Sequence, residues 1–220
     1  MATSARPTTI HGVPPTGVGR IPGGALVPRL SDAILRRLRR ADARQAVRCL
    51  AADLREGDHV LDLGCGTGFV GALIAADHGC SVVGCDVLPM NVALDEFHLF
   101  DGRRVPFPSE TFDVTVLAYV LHHAVDPLGL LLEAARVTRR SVIVVEDTPR
   151  IVADRLWGRI HVHGFNGAYG LPHGRVRAEA EWLALFAAAR LTLVRRHEMG
   201  RFERFPPNAR SQYTLAPERP

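Results

Sequence analysis

The sequence predicts an α/β protein with a doubly wound, mostly parallel sheet of seven strands, of which the last is antiparallel. Apolar runs of about four to eight residues alternate with helical segments, and one run, residues 60–63, leads into a glycine-rich turn. Such continuous apolar runs are typical of buried parallel strands, and their alternation with helices indicates βαβ units. The chain of 220 residues is long enough for one domain with a substantial core.

The elements follow in order along the chain. A first helix begins near Ser31, with apolar residues on one face and arginines on the other, and ends before Gly57. The β-branched and apolar runs predict strands at 60–63, 81–85, 97–100, 112–119, 141–146, 191–195 and 212–215. Further helices are expected at 69–77, 126–137, 150–161 and 179–189, and a loop at 162–174. We expect residues 30–220 to form the domain and residues 1–29, rich in proline and glycine, to be a flexible or lid-like extension.

Composition narrows the class of protein. Hydrophobic residues make up 47% of the chain and charged residues 23%, a balance that argues against global disorder. All 27 basic residues are arginine and the net charge is only +4, so the arginines are interpreted mainly as solvated helix faces. No apolar run approaches the ~18 residues of a membrane span. The four cysteines form no CxxC pair, and we expect a cytoplasmic protein with reduced cysteines.

The strongest local signal is the turn after the strand at 60–63. Gly64, Gly66 and Gly68 permit a tight turn and a close approach of a ligand to the backbone. The next strand ends in Asp86, and adjacent parallel strands end side by side at one edge of a sheet. A carboxylate at that position can accept both hydroxyl groups of a ribose. The sequence therefore predicts a site for a nucleoside cofactor.

The glycine spacing and Asp62 distinguish between cofactors. Dinucleotide folds have the spacing G-x-G-x-x-G, whereas this chain has G-x-G-x-G preceded by Asp62. A negative charge there repels a pyrophosphate and favours a cationic ligand. S-adenosylmethionine, which contains a sulfonium and an ammonium group, is the better fit, and a nicotinamide cofactor is the second choice.

The same segment resembles a known family. Residues 60–68 (VLDLGCGTG) resemble motif one of class I S-adenosylmethionine-dependent methyltransferases, which have a Rossmann-like fold. Residues 105–113 (VPFPSETFD) and 121–127 (LHHAVDP) resemble the runs before and after the fourth strand in the small-molecule branch of that family. The resemblance covers about the middle half of the chain.

The resemblance implies a set of cofactor-binding residues. Asp62 and the backbone of the glycine loop would lie along the methionine part, and Asp86 would bind the ribose. Val87 or Leu88 would pack on adenine, Asp101 and Gly102 would contact its edge, and the backbone near Ala118 and Tyr119 would face the ammonium group. The full set is Asp62, Gly64, Cys65, Gly66, Gly68, Asp86, Val87, Leu88, Asp101, Gly102, Ala118 and Tyr119. Only fourteen residues separate Asp86 from Asp101, which predicts a shortened helix between them.

The acceptor side should lie where the fourth and fifth strands end. Methyl transfer is an in-line displacement, so positioning supplies much of the acceleration, and a base is needed only if the acceptor loses a proton. Candidate catalytic residues are Tyr119, His122, His123 and Glu146, although Glu146 could instead cap the next helix. Candidate substrate contacts in the expected loop are His161, His163, Asn166 and Tyr169. The pair His161 and His163 has no placed carboxylate, and no metal is expected.

Several alternatives remain open. The acceptor is expected to be a small molecule such as a specialised metabolite, because the Asn/Asp-Pro-Pro-Tyr/Phe run of base-amine methyltransferases is missing after residue 117. Nucleic acid is therefore a disfavoured partner, and the oligomeric state is open. A second hypothesis is an enzyme that binds the cofactor but catalyses a cyclisation or rearrangement without methyl transfer. A third is a non-catalytic or RNA-associated binding module that uses the arginines between Arg36 and Arg48.

Overall fold

A computed structural model of the chain describes residues 29–172, 174–201 and 209–219. Apart from Arg29, the extension expected over residues 1–29 lies outside these ranges, as do His173 and residues 202–208. None of the helices in the described ranges is long and apolar enough to cross a membrane. All four cysteines are free, and all but Cys49 are buried.

The sheet confirms the predicted fold class. Its seven strands have the order β3-β2-β1-β4-β5-β7-β6. Neighbours from β3 to β5 pair in parallel, and β7 is antiparallel to both β5 and β6. The strands are β1 (His59–Leu63), β2 (Ser81–Asp86), β3 (Phe97–Leu99), β4 (Phe112–Ala118), β5 (Thr138–Asp147), β6 (Leu191–Arg201) and β7 (Ala209–Pro217).

Helices cover both faces of this sheet. They are α1 (Arg29–Leu50), α2 (Phe69–His78), α3 (Pro127–Val137), α4 (Val152–Ala168) and α5 (Glu179–Ala188), with a short 3-10 helix at Ala51–Asp53 after α1. Successive residues of a strand point to opposite faces, so Val60 packs with α1 and α2 whereas Leu61 packs with α3 and α5. Parallel pairing brings the carboxyl ends of β1, β2, β4 and β5 to one edge of the sheet, where most of the predicted site residues lie.

The loop predicted at 162–174 is wrong over its first seven positions, because α4 continues to Ala168. Gly164 and Gly167 suggested a loop, but the buried side of this segment has the spacing of a helix. The buried positions of α4 are four residues apart, at Asp154, Gly158, Val162 and Asn166. Burial of this stripe outweighs the cost of about 1 kcal/mol for each helical glycine.

The shortened helix predicted between Asp86 and Asp101 is wrong, because the connection between β2 and β3 is too short to form one and runs as a loop. Residues 87–96 contain no helix, and β3 has only three residues. Even so, β3 pairs in parallel with β2, with Asp86 opposite Leu99. The loops that follow β2 and β3 therefore emerge next to each other at the carboxyl edge of the sheet.

Candidate cofactor and acceptor site

The glycine loop between β1 and α2 is fastened to the end of β2. The N–H groups of Gly64 and Cys65 both donate to the carbonyl oxygen of Cys85, at 2.7 and 3.2 Å. A Cβ on Gly64 would lie 2.5 Å from Val120 Cγ2, so this glycine is required for packing. Gly66 differs, because it has a φ of +53° and a Cβ built there would have no heavy atom within 4 Å. Gly66 thus borders open space in which a ligand could approach the backbone.

Asp86 lies directly against this loop. Its Oδ2 accepts the N–H of Gly66 at 2.7 Å, and its Oδ1 accepts the N–H of Leu88 at 2.9 Å. The side chain is buried, and burial raises the pKa of the Asp86 carboxyl despite these hydrogen bonds. A carboxylate has about four acceptor positions, so two of them remain for hydroxyl groups. The structure therefore brings together the two features on which the sequence prediction depends.

Asp62 lies behind the loop rather than in open space. It is only 2% exposed, and its Oδ2 accepts the N–H of Gly71 in the first turn of α2 at 2.9 Å. Burial raises the pKa of the Asp62 carboxyl to about 7, with a further contribution from the charge of Asp86. Asp62 thus holds the first turn of α2, which begins after Gly68, against the end of β1.

The residues predicted at the adenine end are also brought together. A Cβ on Gly102 would lie 3.3 Å from Val87 Cγ1, so the loops after β2 and β3 lie close together. Asp101 is exposed, and its Oδ1 accepts the N–H groups of Arg103 and Arg104 at 2.9 and 3.0 Å. These backbone hydrogen bonds lower the pKa of the Asp101 carboxyl.

Tyr119, next to Ala118 at the end of β4, has an unusual environment. Its φ is +62°, a conformation that non-glycine residues rarely adopt and that is often found at functional sites. The guanidinium of Arg210 lies 4.7 Å above its ring, and Arg210 Nε lies 3.2 Å from Asp147 Oδ1. Burial raises the pKa of Tyr119 above its ordinary value, which makes the phenol a poor base at neutral pH. The sequence does not reveal Arg210 as a site residue, because β7 brings it from the far end of the chain without any local motif.

Glu146, at the end of β5, fastens the segment after β4 instead of capping α4. Its Oε1 accepts the N–H of Leu121 at 2.7 Å, and its Oε2 accepts Nδ1–H of His122 at 2.5 Å. The start of α4 is capped by Asp154, whose Oδ2 accepts the N–H groups of Arg150 and Ile151. Both Glu146 and His122 are buried. Burial by itself would lower the pKa of His122. The attraction of the adjacent Glu146 carboxylate is the larger effect, so the pKa of His122 is raised above its ordinary value.

A second polar contact orients His123. Its Nδ1 lies 2.7 Å from Asn166 Oδ1, and the amide nitrogen of Asn166 donates to the carbonyl oxygens of His123 and Pro172. Because the amide nitrogen faces two carbonyl groups, the amide oxygen must be the acceptor and His123 Nδ1 the donor. Burial, together with the charge of His122, lowers the pKa of His123 to about 3.

The four predicted substrate contacts divide between two places. Asn166 and His161 join the histidines after β4, with the ring of His161 centred 5.3 Å from that of His123. His163 instead lines a separate cavity of about 580 Å³ between α4 and the segment before α5, together with Arg155, Arg159 and Arg175 among others. Tyr169 follows α4 and packs on Phe165, with ring centres 4.7 Å apart.

Comparison with known proteins agrees with this geometry. A sequence profile described as a methyltransferase domain matches residues 61–145. The ubiquinone/menaquinone biosynthesis C-methyltransferase UbiE of Geobacter sulfurreducens is 35% identical over 150 residues, which are 60% of this chain and 55% of that protein. The 27-O-demethylrifamycin SV methyltransferase of Amycolatopsis mediterranei is 31% identical over 99 residues, 39% of this chain and 36% of that protein.

A solved structure has the same fold. It is a putative methyltransferase from Haloferax volcanii in complex with the Trm112 methyltransferase activator, with a TM-score of 0.67 and 19% identity over 86% of this chain and 96% of that one. The chain spans about half the length, or less, of the two curated relatives named above. The match at 61–145 runs from β1 to β5 and includes the glycine loop and Asp86. Over these residues the chain is therefore similar to methyltransferase domains.

Proposed function

We propose that this protein transfers a methyl group from S-adenosylmethionine to a small-molecule acceptor. The observation that supports this most directly is the contact of Asp86 with the N–H of Gly66 beside open space. A nucleoside at that position would meet a carboxylate for its ribose and an accessible backbone for the rest of the molecule. S-adenosylmethionine supplies an electrophilic methyl group on a sulfonium sulfur.

The neighbouring residues fit an orienting role for this cofactor. Asp86 would hold the ribose hydroxyl groups, and Val87, which lies close to Gly102, would form the wall on which adenine packs. Asp62 holds the first turn of α2 against the end of β1, and in its ionised form it contributes negative charge near a cationic ligand. The backbone around Ala118 and Tyr119 would face the methionine part, next to Val120, which packs on Gly64.

The acceptor would then lie on the side of the histidines after β4. Glu146 and Asn166 fix the Nδ1 atoms of His122 and His123 as donors, so the Nε2 atom of each ring presents a lone pair when that ring is neutral. Such lone pairs can accept a proton or bind a metal ion. In-line transfer depends first on holding the acceptor about 3–3.5 Å from the methyl group. Residues that fix the shape of this side of the site therefore contribute whether or not a base is used.

The relatives support the class of acceptor. The two named above are, by their names, methyltransferases of ubiquinone/menaquinone biosynthesis and of a rifamycin precursor, which are small molecules. The acceptor proposed here is accordingly a small organic molecule that offers an oxygen, nitrogen or carbon nucleophile.

An assay of S-adenosylhomocysteine and of methylated acceptor, the two products of methyl transfer, tests the proposal. The full chain is incubated with S-adenosylmethionine and a panel of quinol and phenol acceptors, and S-adenosylhomocysteine and methylated acceptor are quantified. Both products are expected, and Asp86→Asn should lower their rate of formation at least tenfold because charge-assisted hydrogen bonds to the ribose are lost. The control is Asp95→Asn, which makes the same change at an exposed position of the neighbouring loop and should retain the wild-type rate.

Two results would contradict the proposal. Conversion of an acceptor without release of S-adenosylhomocysteine would instead favour the cyclisation or rearrangement hypothesis. Equal rates for Asp86→Asn and the wild type would show that the nucleoside does not bind at Asp86.

A further inference from the structure

Three histidines from two separate segments converge on the acceptor side of the site. His122 and His123 follow β4, and His161 comes from α4. Ring nitrogens from all three lie within 4.8 Å of one another. Their burial is graded, since His122 is buried, His123 is half-buried and His161 is exposed. The cluster therefore extends from the protein interior to the surface.

Two of the rings are oriented by polar groups behind them. His122 donates Nδ1–H to Glu146, and His123 donates Nδ1–H to Asn166, whose amide is fixed in turn by two carbonyl groups. In its neutral form each ring is thus held in the tautomer with a lone pair on Nε2. Metal-binding histidines are characteristically oriented in this way, with the second ring nitrogen donating to a carboxylate or another oxygen acceptor.

His122 is the most buried of the three histidines. His122 is 1% exposed, and its Nε2 makes no hydrogen bond with any residue in the described ranges. A buried polar atom without a partner costs about 1–3 kcal/mol. A cation bound between the three rings would supply the partner that this nitrogen lacks.

We propose that His122, His123 and His161 bind one divalent transition-metal ion of the zinc class. Imidazole nitrogens suit such ions, and three protein ligands with one open position are typical of zinc sites that also bind water or a substrate atom. A tetrahedral ion with bonds of about 2.0–2.1 Å needs its ligand nitrogens about 3.3 Å apart. The rings must therefore draw together slightly, and the exposed His161 has the freedom to do so.

This inference goes beyond methyl transfer and does not depend on it. The sequence predicts no metal, because His161 and His163 are its only evident candidate pair and no carboxylate is placed beside them. On α4 these two residues diverge, and His163 lines the separate cavity beside α4. His161 instead meets two histidines that are about forty positions earlier in the chain, with Glu146 supplying the carboxylate behind His122.

The test measures the binding of metal ions to the full chain in the absence of any other ligand. The protein is stripped with a chelator and titrated with Zn²⁺ by calorimetry and with Co²⁺ by visible absorption, without S-adenosylmethionine or acceptor. One ion per chain is expected, with the intense Co²⁺ bands of a four-coordinate site. His161→Ala removes an exposed ligand and should weaken binding at least tenfold. His163→Ala is the matched control, because it removes an exposed histidine from the same helix, and it should bind as the wild type does.

Each other outcome overturns the inference. Absence of one-to-one binding by the wild type would refute the site. Unchanged affinity in His161→Ala, or equal losses in both variants, would show that surface histidines bind the ion non-specifically. Circular dichroism of both variants, expected to match the wild type, ensures that a loss of binding reports the ligand and not the fold.

Discussion

At the scale of single residues, the chain keeps a carboxyl group in an unfavourable environment next to its glycine loop. Asp62 is buried and has one hydrogen bond from the backbone of α2, and its pKa is raised to about 7. In the unfolded chain an aspartic acid titrates near pH 3.9. Between these two values the folded state binds one more proton than the unfolded state, so its stability falls as pH rises.

Replacing Asp62 by asparagine should remove this dependence on pH. The variant keeps an acceptor for the N–H of Gly71 but cannot ionise. Relative to the wild type, Asp62→Asn should therefore gain stability between about pH 4 and pH 7, by as much as about 4 kcal/mol, and the difference should level off above that. Urea unfolding of both ligand-free proteins across this range measures the difference. Parallel stability curves would contradict a buried, destabilised carboxylate at this position.

At the scale of secondary structure, α4 determines the shape of the acceptor side. Its buried stripe contributes Asn166, which orients His123, and its exposed surface contributes His161. One glycine of this helix is required by packing, because a Cβ on Gly158 would lie 2.7 Å from Val176 Cγ2. Gly164, in contrast, is exposed and would have no heavy atom within 4 Å of its Cβ.

Alanine at these two glycines should have opposite effects on stability. Gly164→Ala should raise the free energy of unfolding by about 0.5–1 kcal/mol, because alanine is the better helix former and nothing obstructs it. Gly158→Ala should lower it by about 1–3 kcal/mol, because the stiff side chain of Val176 cannot rotate away cheaply. Thermal or urea unfolding measures both. A neutral or destabilising Gly164→Ala would argue that residues 162–168 are not helical.

How much of the fold and of the candidate site the sequence predicts depends on how far apart in the chain the interacting residues lie. The glycine loop, Asp86 and the alternating strands were predictable, because each is a local pattern with one strong structural solution. The carboxyl end of α4 was not, since its glycines favour a loop and only the tertiary burial of Val162 and Asn166 makes it helical. Neither the contact of Arg210 with Tyr119 nor the meeting of His161 with His122 leaves a signal in the local sequence.

At the scale of the whole molecule, the parallel sheet is what assembles the site. Four of its strands, β1, β2, β4 and β5, end at the same edge. The residues at or just after these four ends are, in that order, the glycine loop, Asp86, Tyr119 with His122, and Glu146. β7 then inserts beside β5 and brings Arg210 to Asp147. Segments far apart in the sequence thus meet at one edge of the sheet.

The central claim is that a nucleoside cofactor approaches the backbone at Gly66, and a matched pair of glycine substitutions tests it most directly. Gly66 and Gly57 both have positive φ, at +53° and +82°, and a Cβ would have no heavy atom within 4 Å at either. Gly57 precedes β1, at the opposite edge of the sheet. Alanine at either position should cost about 1–2 kcal/mol of stability through the left-handed backbone.

The measurement is calorimetric titration of S-adenosylmethionine into the wild type, Gly66→Ala and Gly57→Ala. The wild type and Gly57→Ala should bind one molecule per chain with the same affinity, whereas Gly66→Ala should bind at least tenfold more weakly because its methyl group occupies the space the ligand needs. Equal affinities in all three proteins, or no binding by the wild type, would contradict the account.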